Sequence, residues 1–187
     1  MTGMDLPAWV RPSVVEVEDL LWLAHRRHVE TDGIESDAAA AMVATVMWVW
    51  GRIPGPITGR LEQPVTRAVA VAEWWAAAAA SDGGATSKRQ HRGVCAELGV
   101  AYWPPEYDRV GLEEGYAIYQ TLSWLLGTLD GWERGRRPPL AIPVRNADGN
   151  PAASDQRSRE LAELIGATRR RAVLTPPSSS SAASRRP

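Results

Sequence analysis

The stretch LEEGYAIYQTLSWLLGTLDGW, residues 112–132, decides the fold class. Ile118, Leu122, Leu125, Leu129 and Trp132 recur at spacings of four, three, four and three, the period of one face of an α-helix. Leu112, Tyr116, Tyr119 and Leu126 form a second stripe beside it, which widens the apolar face and predicts a central helix. Asp108 is the expected N-cap and Arg136-Arg137-Pro138-Pro139 the expected end, which would make this the longest helix of the chain. Gly111 and Gly115 would allow a neighbouring helix to approach closely.

Working outward, helical signals dominate. Ser13 and Glu16 form a capping box that opens a helix running to about Glu30, with Val14, Val17, Leu21, Ala24 and His28 on one face. Asp32-Gly33 stops it, and Ser36 is the expected cap of a second helix from Asp37 to Trp50. GRIPGPITGRLEQP, residues 51–64, reads as a loop, with Pro64 in the first turn of a third helix that reaches Ala80. Ser81-Asp82-Gly83-Gly84 ends that helix. A fourth spans Ser87–Leu98 with Gly99 as its stop. Residues 139–151 allow at most one short strand, and Pro139 and Pro143 favour an extended loop. A last helix runs from about Ser154 to Arg171, and the Ser/Pro/Arg-rich end cannot bury enough surface to fold. The expectation is an all-α protein: a compact bundle of five to six helices over residues 13–172, an N-terminal arm over 1–12, and a disordered tail over 173–187.

Composition bounds the function. Nine Trp and four Tyr with no Phe mean that the core uses rings whose polar edges need partners. Lys88 is the only lysine among 21 basic residues, a bias typical of GC-rich coding, so the arginine excess is weak support for phosphate binding. Residues 1–153 carry 14 basic and 19 acidic groups, whereas residues 154–187 carry 7 and 3. The body is therefore acidic and its C-terminal appendage basic. The single cysteine, Cys95, excludes an internal disulfide framework and suits a cytoplasmic protein. The N-terminus lacks the pattern of a signal peptide, and no apolar run reaches the length of a membrane span; the longest candidate, residues 68–80, is interrupted by Glu73.

None of the familiar nucleophile, phosphate-loop or metalloprotease motifs occurs, so the chain reads as non-catalytic. One group of residues has the chemistry of a metal site: His25 and His28 on the first helix, and His91 and Cys95 on the fourth. Each pair lies on one helical side, and convergence would offer zinc four ligands. Filling of a core is the more economical use of Cys95 and the histidines. Arg169, Arg170 and Arg171 could contact nucleic acid, although the acidic body opposes this. Trp9 and Trp103, each beside proline, are the expected contacts for a protein partner. TLSWLLGTLDG followed by PPLAIPVRNADG resembles uncharacterised helical proteins of GC-rich Gram-positive bacteria, their integrating elements and their phages. That resemblance implies no activity. The expected function is a non-catalytic accessory or regulatory protein working through protein contacts, with nucleic-acid binding and zinc binding as alternatives and no membrane partner.

Overall fold

Capping and glycine geometry set the helix boundaries. In the computed structural model the described residues are 5–61, 63–83, 85–105, 110–127, 138–140, 157 and 159–167. Five helices lead the chain: α1 (Val14–Glu30), α2 (Gly33–Val49), α3 (Arg67–Asp82), α4 (Ala85–Glu97) and α5 (Leu112–Leu126). A sixth, α6, covers 159–167, and no strand occurs among the described residues. The fold is all-α, as expected.

Ser13 and Glu16 cap α1 reciprocally, the Ser13 amide donating to Glu16 Oε2 at 2.8 Å. The second helix begins earlier than expected. Asp32 is its N-cap, and Ser36 lies inside α2, where its hydroxyl donates to the His28 carbonyl at 3.0 Å and ties the two helices. Thr66, whose hydroxyl accepts from the Val69 amide, opens α3, so Pro64 precedes the helix. α4 starts two residues before Ser87, whose hydroxyl bonds Asp82 across the α3–α4 turn. Gly99, with φ +65°, terminates α4 as expected, and the Val100 amide donates to the Cys95 carbonyl at 2.9 Å.

The central helix is shorter than its stripe suggested. Gly111 rather than Asp108 is its N-cap, and Gly127 at φ +62° ends it after 15 residues, so α1 and α2, with 17 each, are longer. Ile118, Leu122 and Leu125 are buried; Leu112 and Tyr116, from the second stripe, stand in solvent. Leu129, Trp132 and the Asp108 cap fall outside the described residues, as do the loop 141–150 and the tail 173–187.

α5 packs on α2 and α3, α1 on α2, and α4 on α3. Trp74 Nε1 donates to Ser123 Oγ at 2.6 Å, and Gly115 lies against Ala80 and Ser81, so α3 and α5 run antiparallel. A Cβ at Gly115 would sit 3.0 Å from the Ser81 amide nitrogen, the close approach expected of this glycine. Leu20, Leu21, Val46, Trp48, Ala70, Trp74, Leu122 and Leu125 fill the core between these helices. Leu6, Trp9 and Val10 of the arm pack against it, and the Arg11 amide donates to the Leu125 carbonyl at 2.9 Å. Arg157 meets the fully buried Asp19 at 2.7 Å and Glu18 at 3.2 Å, which fixes the start of the last helical segment to α1. Trp22 Nε1 donates to Glu160 Oε2 at 2.5 Å one turn further on. No described helix is long and apolar enough to cross a membrane.

Candidate functional site

Glu73 is the one acidic residue between Arg67 and Ser81, and its side chain is fully buried. A carboxylate there requires donors, and the Gly/Pro loop supplies them. The Ile57 and Thr58 amides donate to Oε1 at 2.7 and 2.9 Å, and the Thr58 hydroxyl donates to Oε2 at 2.6 Å. Arg60, also fully buried, places Nε 3.7 Å from Oε2 and donates to Thr58 Oγ1 at 3.0 Å. The loop closes on itself through Gly55 N–H to Arg60 O and Gly59 N–H to Gly55 O, both 2.9 Å. Gly55 is required by space: a Cβ there would lie 3.1 Å from both Arg60 Cγ and Glu73 Oε1.

Arg60 extends the network to α4 and beyond. It donates to the Ala101 carbonyl at 3.2 Å, and its charge acts on the buried Cys95 thiol. His91, one turn before Cys95 and also buried, has its ring 5.2 Å from that of Tyr102. Arg92 lies over the same ring, its guanidinium carbon 4.8 Å from the Tyr102 ring centre. The loop 51–61, the C-terminal half of α4 and residues 99–103 are thus drawn together on one buried ion pair.

The electrostatics of this centre oppose nucleophilic chemistry. Burial raises the Cys95 thiol pKa, despite the nearby Arg60 charge. Burial and, secondarily, Arg60 lower the His91 imidazole to about 4. A thiolate–imidazolium couple needs both shifts reversed. Burial also raises the Glu73 carboxyl, against the pull of its Thr58 and Ile57 hydrogen bonds and of Arg60. What the arrangement does is anchor a loop.

The four candidate zinc ligands are not brought together. His91 and Cys95 share the buried centre on α4. His28 is on the opposite hairpin, with Nδ1 2.8 Å from Ser36 Oγ, and His25 is half-buried on α1. Among the described residues no group of three or more His, Cys, Asp or Glu side chains is placed to hold a metal ion. The Arg60 charge acts on both His91 and Cys95.

Of the expected partner contacts, Trp9 is used within the fold: its Nε1 donates to the Val65 carbonyl at 2.8 Å. Trp103 remains 37% exposed. Arg169, Arg170 and Arg171 lie outside the described residues. Sequence reading missed Arg60, Thr58 and Glu73 as a unit. The available signal was Glu73 itself, a single carboxylate in AVAVAEWWAAAAA, which has to find donors in a neighbouring segment.

The class defined by these features is an all-α bundle with a clamped loop. No protein-family model, curated protein or solved structure matches the chain.

Proposed function

We propose that the chain is a non-catalytic accessory protein that acts through protein contacts, using the face built from the loop 51–61, the end of α4 and residues 98–103. One observation carries this reading. Leu61, Leu98 and Trp103 are 63%, 38% and 37% exposed, yet each lies within three residues of an atom of the buried network: Arg60, Cys95 and the Ala101 carbonyl. Large apolar side chains held in solvent on a rigid support lose little entropy when a partner covers them, which favours recognition. The reactive groups below them are sealed, so the surface offers contact rather than chemistry.

The test is a photo-crosslinking amino acid placed at position 103 in the source cells, with position 29 as the control. Val29 is more exposed than Trp103 but belongs to the α1–α2 corner. A discrete protein adduct from position 103, missing from position 29, is expected. No adduct, or the same adducts from both positions, would sink the reading.

A further inference from the structure

Two helices end in the same way and differ at one residue. Gly99, at φ +65°, closes α4 with its amide on the Ala96 carbonyl, and the Val100 amide follows on the Cys95 carbonyl. Gly51, at φ +75°, closes α2 with its amide on the Trp48 carbonyl at 2.7 Å, and the Arg52 amide follows on the Met47 carbonyl at 2.9 Å. The residue after the glycine in such an ending is frequently apolar and packs back on the helix. Val100 packs against the core. Arg52 instead lays its guanidinium over Trp50, the carbon 4.4 Å from the ring centre.

Arg52 is half-buried, and its guanidinium meets no acceptor among the described residues. Its Nε is sealed, whereas its two terminal nitrogens reach the surface. The group lying over this turn is neutral: a Cβ at Gly51 would be 2.7 Å from Oε1 of the Gln63 carboxamide. A cation at a helix C-terminus gains from the helix dipole, but that gain needs neither a stacked ring nor a sealed nitrogen.

We propose that Arg52, held flat by Trp50, is a binding site for a carboxylate. Stacking fixes the plane of the guanidinium and leaves its outer end to donate two parallel N–H···O bonds, the geometry in which guanidinium and carboxylate match. Phosphate is the poorer guest. Residues 1–153 carry 14 basic against 19 acidic groups, so a dianion is repelled more strongly than a single carboxylate. The site does not depend on a protein covering Leu61, Leu98 and Trp103, so it stands or falls separately from the reading above.

The full chain with isotope-labelled arginine is titrated with sodium acetate at constant ionic strength, sodium chloride making up the difference. The Nε–H resonances are followed by NMR, Arg52 being assigned by its loss in Arg52→Lys. The Arg52 resonance should move along a saturating curve, while that of Arg89, exposed on α4, should not saturate. Trp50→Leu, its fold checked by circular dichroism, should raise the acetate midpoint about threefold through loss of the cation–π contact. Inorganic phosphate should bind no more tightly than acetate. A response at Arg52 that fails to saturate, or that matches Arg89, would overturn the site. So would tighter binding of phosphate, or an unchanged midpoint in a folded Trp50→Leu protein. If Trp50→Leu does not fold, the comparison of Arg52 with Arg89 in the unaltered chain decides alone.

Discussion

Glu73 and Arg60 are each other's charge partner in a place that water does not reach. Removing one of a buried pair leaves the other uncompensated, so Glu73→Ala should lower stability by about 3–5 kcal/mol in denaturant unfolding. A cost near zero would mean that the loop is not held this way. His91 gives a separate handle. Its folded pKa, about 4, lies below the ordinary 6.5, so the unfolded chain binds the proton first. Stability from His91 is whole above pH 6.5 and lost as pH falls toward 4, at up to about 1.4 kcal/mol per pH unit. Glu73 acts in the opposite sense, because a raised carboxyl takes up its proton in the folded state first. His91→Gln should therefore flatten the decline between pH 6.5 and 4, measured as denaturation midpoint against pH. An unchanged slope would remove His91 from the acid response.

Two helical glycines make a matched experiment at the level of the elements. Gly93 on α4 has open space around it, so Gly93→Ala should stabilise by about 0.4–1 kcal/mol through the unfolded chain. A Cβ at Gly115 on α5 would lie 3.0 Å from the Ser81 amide nitrogen, so Gly115→Ala should push α5 from α3 and cost about 1–3 kcal/mol. Equal signs in thermal unfolding would contradict the α3–α5 packing. The same helices show what the sequence could reveal. The Ile118–Leu122–Leu125 stripe, the Ser13–Glu16 box and the Gly99 stop are local patterns, and all three hold. The second stripe of α5 failed at Leu112 and Tyr116 because periodicity counts faces and not the neighbours available to cover them. The end of α5 failed because Gly127 takes a positive φ where a Cβ would lie 2.7 Å from Arg11 Cγ, more than a hundred residues away in the chain. Arg60 and Glu73 were invisible as a pair for the same reason: thirteen residues and a change of segment separate them, and only the folded loop joins them.

Across the whole molecule, the last described segment is tied to the first helix by charge. Arg157 faces the buried Asp19, and Glu160 accepts from Trp22. Arg157→Met removes that guanidinium from a sealed carboxylate and should cost about 3–5 kcal/mol, read from chemical denaturation. A neutral result would mean that residues 157–167 are dispensable to the bundle. The clamp on the loop carries a different kind of consequence. Much of its grip on Glu73 comes from two main-chain amides, which any residue but proline can supply. The side chains it specifies are Thr58, Arg60 and Glu73, and it leaves no room for one at Gly55. Leu61, Leu98 and Trp103 are outside that specification. In lineages that carry this chain, positions 55, 58, 60 and 73 should stay constant while 61, 98 and 103 drift together, each lineage rewriting its outward face on an unaltered frame.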